Sequence, residues 1–174
     1  MVAVSSIGYA YAWGKNDFGQ LGDSTKETQY SPVRVAALDG ISDFALGDDF
    51  TVVLKNTGML TVCGKNDKGQ LGLGHQEPVA VPQNVPNVSS VYALAVGKSH
   101  TAVLTASRGA LAWGANDSGQ LGTGDTEPAL SPVSIKLSNN YTALSAGAHS
   151  TFLAAAAGSL YCLLYTSHWN TALK

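Results

Sequence analysis

Three features of this 174-residue sequence predict an all-β chain, built as part of a β-propeller of about three four-stranded blades. The first is a decapeptide, Trp13-Gly14-Lys15-Asn16-Asp17-Phe18-Gly19-Gln20-Leu21-Gly22. It returns as Cys63-Gly64-Lys65-Asn66-Asp67-Lys68-Gly69-Gln70-Leu71-Gly72 and as Trp113-Gly114-Ala115-Asn116-Asp117-Ser118-Gly119-Gln120-Leu121-Gly122, fifty residues later each time. The second is a Gly-x-x-x-Thr frame at the same period, beginning at Gly47, Gly97 and Gly147. The third is a set of short apolar runs separated by Gly, Asn and Asp, with no sustained 3.6-residue period to support helices. Four short strands in a repeat near fifty residues is the signature of a propeller blade.

The elements follow in order. Val2 to Gly8 aligns with Val52 to Gly58, so the chain begins at the strand after the threonine. The next strand runs into Trp13-Gly14. A third starts at Pro32, Pro82 or Pro132, placed as a strand's first residue, where a missing N–H costs little. The fourth ends at the frame glycine, as in Phe44-Ala45-Leu46 before Gly47. Repeats thus account for residues 1–162. Residues 163–174 depart from the pattern, since Leu163-Leu164 stands where the next Trp-Gly is due. The string Cys162 to Ser167 resembles the translated end of a transposon used in sequencing libraries. The expectation is therefore a fragment of a longer protein. An open fan of blades exposes strand edges and apolar faces, so the chain alone is expected to self-associate or aggregate.

Composition narrows the function. Charged residues make up 13% of the chain and the net charge is −2, with ten Lys and Arg. That provides no electrostatic footprint for nucleic acid. No apolar run is long enough to span a membrane and no secretory signal opens the chain, which favours cytoplasm or nucleus. Cys63 and Cys162 form neither a disulfide framework nor a zinc pattern, and Cys63 is expected to be a buried small hydrophobe. His75, His100, His149 and His168 show no ligand spacing, so no metal or cofactor is expected. A nucleophile elbow, a phosphate loop and a dinucleotide fingerprint are all missing.

Within the decapeptide, the expected roles are structural. Its glycines suit positive φ or close approach, and Asn16 and Asp17 suit folding back onto the turn. Leu21 is expected to plug the gap between blades. Trp13 and Trp113 are expected to lie largely buried, while Cys63 leaves its blade repacked or weaker. Calcium binding at Asp17, Asp67 and Asp117 is disfavoured, because Asn-Asp-x-Gly-Gln lacks the alternating ligands of a calcium loop. The variable corners offer a composite partner surface: Asp48, Asp49 and Phe50; Lys98, Ser99 and His100; Ala148, His149 and Ser150.

A kelch propeller shares the repeat length, but this chain has no Gly-Gly pair. The Gly-x-Asn-Asp-x-Gly-Gln-Leu-Gly core, the Gly97 to Thr101 element and the closing Trp-Gly instead resemble the regulator of chromosome condensation repeats. That resemblance implies a seven-bladed ring. It also places the Gly-x-x-x-Thr loops on the face with which founding members engage the small GTPase Ran and catalyse nucleotide exchange. His100 matches that pattern, whereas Phe50 and Ser150 depart from it. The expected function is a non-enzymatic scaffold binding a protein partner. The alternatives are an exchange factor for a Ran-like GTPase, and a repeat module appended to a larger enzyme or secreted binding protein.

Overall fold

The computed structural model describes residues 1–106, 109–136 and 140–163. The tail from Leu164 onward, with His168, lies outside them. Among the described residues, fourteen strands form four antiparallel sheets. The first sheet contains β1 (Val2–Val4), β2 (Ala10–Gly14) and β3 (Gln29–Arg34). Four-stranded sheets follow: β4 (Ile41–Leu46) to β5 (Phe50–Lys55), β6 (Leu60–Gly64) and β7 (Val79–Asn84), then β8 (Val91–Val96) to β9 (His100–Thr105), β10 (Gly109–Gly114) and β11 (Ala129–Ser134). The fourth holds β12 (Tyr141–Ala146), β13 (Thr151–Ala155) and β14 (Leu160–Leu163). The chain is part of a β-propeller: each sheet is a meander, and the innermost strands β4, β8 and β12 lie side by side.

Alternation along each strand divides its side chains between two neighbouring sheets. On β10, Ala110 and Ala112 join the cluster shared with Leu153 and Leu163 of the fourth sheet, while Leu111 and Trp113 join the cluster shared with Val52 and Val62 of the second. Three such clusters fill the three gaps between the four sheets. Both faces of the middle sheets are therefore covered along their central strands. Their central strands β5, β6, β9 and β10 are accordingly buried almost throughout, whereas the inner and outer strands keep exposed positions.

The prolines correct one expectation. Pro32, Pro82 and Pro132 are the fourth residues of β3, β7 and β11, not the first. Each of these strands is the outer edge of its sheet, and each proline falls beside a register shift, as between Val62/Gln83 and Gly64/Val79. A proline there removes no ladder hydrogen bond and makes the edge a poor template for pairing with another chain.

Candidate partner face at the blade corners

The decapeptide is a loop that leaves one sheet and clamps the next. Its asparagine side chain lies inside the loop. Asn16, Asn66 and Asn116 are fully buried, and each Oδ1 accepts the amide N–H of Leu21, Leu71 or Leu121 at 3.0 Å. The amide nitrogen donates across the loop, as from Asn66 Nδ2 to the carbonyls of His75 at 2.8 Å and Glu77 at 3.1 Å. Gln20, Gln70 and Gln120 turn back within the loop to accept the N–H of Phe18, Lys68 and Ser118. Asp17 and Asp67 stay at the surface, each within 3.5 Å of the lysine two residues before it, and Asp117 is also exposed. Gly19 has φ +80° and presses on Ala80 of the next sheet so closely that a Cβ would collide with that backbone.

With the loop shaped in this way, its glutamine carbonyl reaches the next sheet. Thr51, Thr101 and Thr151 Oγ1 donate to the carbonyls of Gln20, Gln70 and Gln120 at 2.7, 2.9 and 2.8 Å. Opposite each threonine, its partner on the neighbouring strand packs on the loop's last glycine. Trp113 lies against Gly72, Cys63 against Gly22 and Leu163 against Gly122. Trp113 Nε1 donates to the same Gln70 carbonyl at 3.0 Å, and Cys63 Sγ approaches Gln20 O at 3.5 Å. Burial pushes the Cys63 thiol up to about 12. Leu38, fully buried on the short 3-10 helix Ala36–Leu38, adds bulk beside Gly22, so this interface is repacked around the smaller side chain. Trp13 differs from expectation. Trp113 is fully buried, but Trp13 is only half-buried because its face of β2 points away from the second sheet.

The Gly-x-x-x-Thr corners join the inner strands of each sheet to their neighbours. Gly47, Gly97 and Gly147 N–H groups close each turn on the carbonyls of Phe50, His100 and Ser150. Adjacent corners are also tied together through the backbone: the Asp48 N–H donates to Lys98 O at 3.1 Å, and the Lys98 N–H to Ala148 O at 3.1 Å. Sequence reasoning missed this chain of bonds, since backbone groups leave no trace in residue identity. The corners line one open groove of about 430 Å³, walled by Leu46, Val96 and Ala146 with Asp48 and Lys98 at its rim.

The three variable positions of each corner take different depths. Asp48, Lys98 and Ala148 are exposed. Asp49 and Ser99 are half-buried, and His149 is exposed. The third position turns inward: Phe50 and His100 are buried, and Ser150 is half-buried. Asp49 is engaged within the protein, accepting from Lys15 Nζ at 3.2 Å and from Gln20 Nε2 at 3.0 Å. Its carboxylate holds the Lys15 ammonium above the usual lysine range. His100 bridges the third and fourth sheets, its Nε2 lying 3.0 Å from Thr151 Oγ1. Because that hydroxyl already donates to Gln120 O, His100 donates through Nε2–H and its Nδ1 carries a lone pair. Among the described residues Nδ1 has no hydrogen-bond partner within bonding geometry, and burial first, then nearby His149, lower the imidazole to about 4 against a smaller raising effect of the Ser150 backbone. Among the described residues no group of three or more His, Cys, Asp or Glu could hold a metal ion, and no helix is long and apolar enough to cross a membrane.

The fifty-residue recurrence of asparagine staple, glutamine carbonyl and threonine donor coincides with a known repeat. Models of the regulator of chromosome condensation (RCC1) repeat match residues 8–54, 58–104 and 109–155, and a second RCC1 model matches 41–70 and 91–120. The chain belongs to the RCC1 repeat family. Solved structures share its fold. Human WBSCR16 superposes with a TM-score of 0.81 at 21% identity, over 98% of this chain and 47% of that one. Yeast RCC1 (Prp20), crystallised bound to Kap60, gives 0.79 at 20% identity, over 92% of this chain and 40% of that one. A further structure of Prp20p from Saccharomyces cerevisiae, described with its binding properties to Gsp1p and histones, gives 0.74 at 25% identity over 95% and 41%. This RCC1-repeat chain thus spans less than half the length of the chain in each of these three structures.

Proposed function

We propose that this RCC1-repeat chain is a non-enzymatic scaffold that binds a protein partner through its blade corners. The observation that carries the reading is the Asp48–Lys98–Ala148 backbone chain. It fixes three corners in one rigid row while leaving the first side chain of each exposed over the groove. Fixed geometry with variable side chains is what recognition requires, because little conformational entropy remains to be lost on binding. Asp48, Lys98 and His149 supply the contacts at the surface, with Asp49, Ser99 and Ser150 supporting them. Phe50 and His100 act beneath that surface by setting the corner's shape.

The test uses the full-length protein carrying these repeats, with proteins captured on it and then measured against Asp48→Lys and Lys98→Glu variants. Binding that falls at least tenfold while the melting temperature holds supports the corner face. Unchanged binding in both variants removes it.

A second reading, guanine-nucleotide exchange on a small GTPase, draws support from the likeness to Prp20p, whose structure was described with its binding to Gsp1p. It is separated by labelled-GDP release from the GTPase. A scaffold binds without changing the release rate, whereas accelerated release would put exchange first.

A further inference from the structure

The corners carry charge that their own contacts do not use. Lys15 pairs with Asp17 and Asp49, and Lys65 with Asp67, all within 3.5 Å. Asp48 and Lys98 are exposed, and among the described residues neither side chain takes part in an ion pair or a hydrogen bond. They do not pair with each other, although the bond from Asp48 N–H to Lys98 O joins their corners. Lys98 has a corner on either side, at Asp48 and at Ala148. Its backbone holds both, while its ammonium meets no carboxylate of the described residues. The groove that these two charges rim has an apolar wall, in which Leu46 is 45% exposed and Val96 and Ala146 are half-buried.

We propose that the groove takes an extended segment of the partner protein in which an apolar side chain is flanked by one cation and one anion, the cation meeting Asp48 and the anion Lys98. This rests on the corner-face reading and adds the partner's chemistry to it. Charge complementarity carries the assignment. Opposite charges fixed on neighbouring corners reject a segment with two like charges, because one of its ends always meets its own sign. The apolar side chain covers Leu46, whose removal from water is favourable. In an extended chain every second side chain shares one side, so the sequence Lys-Ser-Leu-Ser-Glu presents all three groups to the groove together.

Fluorescence anisotropy of labelled, end-capped peptides on the full-length protein tests this at low ionic strength, where rim charges are least screened. The probes are Lys-Ser-Leu-Ser-Glu, its like-charge versions with Lys or with Glu at both ends, and a version with Ser in place of Leu. Wild type is expected to bind the mixed-charge probe at least about tenfold tighter than either like-charge probe, and more tightly than the probe lacking Leu. Lys98→Asp is expected to turn the preference to the doubly basic probe, and Asp48→Lys to the doubly acidic one. The decisive sample is the double variant Asp48→Lys/Lys98→Asp, which keeps the net charge and is expected to restore the mixed-charge preference. One order of probes common to wild type and both single variants overturns the inference, as does a wild type that binds none of them. Self-association of the protein that the mixed-charge probe displaces assigns the groove to a second copy and also overturns it. Capture of a partner that depends on Asp48 and Lys98, with no discrimination among probes, overturns this inference alone. Capture indifferent to both residues removes the corner-face reading beneath it.

Discussion

Trp113 Nε1 and Thr101 Oγ1 both donate to the main-chain carbonyl of Gln70, at 3.0 and 2.9 Å, from two neighbouring strands of the sheet that follows it. A single carbonyl oxygen on one blade's loop therefore accepts two donors from the next blade, one for each lone pair. Trp113→Ala removes one donor and most of the packing on Gly72, and is expected to destabilise by about 3–5 kcal/mol. Trp113→Phe keeps the ring and loses only the bond, so a smaller loss of about 1 kcal/mol is expected. Urea titration of both variants checks the order; equal losses would show that packing contributes nothing beyond the bond.

Cys63 occupies the slot that Trp113 fills one repeat later, but with Pro82 and Leu38 crowding the same glycine. Restoring the repeat's tryptophan by Cys63→Trp is therefore expected to destabilise by about 1–3 kcal/mol through overpacking. Native Cys63 is also expected to resist alkylation, being fully buried with its thiol pushed up to about 12. Mass spectrometry after iodoacetamide treatment, with and without denaturant, reads this directly.

Asn66 offers both halves of its amide to the loop, an acceptor for Leu71 N–H and donors for the His75 and Glu77 carbonyls. Asn66→Asp keeps the acceptor but turns the donor into an oxygen facing two carbonyl oxygens. A loss of at least about 1–3 kcal/mol is expected, the penalty of leaving buried polar groups unpaired. Asp67→Asn, one residue on and exposed, is expected to change stability by less than about 0.5 kcal/mol. Thermal denaturation of the pair separates a loop staple from a surface charge.

His100 links stability to acid. Its imidazole is lowered to about 4 in the folded protein, against about 6.5 when unfolded, so the folded state holds it neutral. The unfolded chain binds the extra proton first. Stability from this group is full above about pH 6.5 and falls as the pH drops toward 4, by an amount on the order of 3 kcal/mol. His100→Phe, which copies the residue at position 50, is expected to flatten the melting temperature between those limits. An unchanged slope would assign acid sensitivity to other groups.

Period, strand count and the structural character of the decapeptide were legible because identical residues at identical spacing imply identical local structure. Leu21, Leu71 and Leu121, each no more than 2% exposed, needed only the repeat to be recognised as plugs. The depth of the corner residues was not legible. Asp48, Asp49 and Phe50 are consecutive and look equivalent in sequence, yet one is exposed, one is held by Lys15 and Gln20, and one is buried. Trp13 and Trp113 likewise share a motif but differ in burial, because burial depends on which sheet lies opposite.

By itself, then, the sequence determined the repeat, the four-strand blade and the residues that shape each loop, all of them properties of local spacing. Only the tertiary structure decided which carbonyl meets which donor across a gap, which corner side chains face outward and which faces of neighbouring sheets pair. Those depend on residues brought together from different repeats, and contacts of that kind follow from the stacking angle of the sheets rather than from any one stretch of chain.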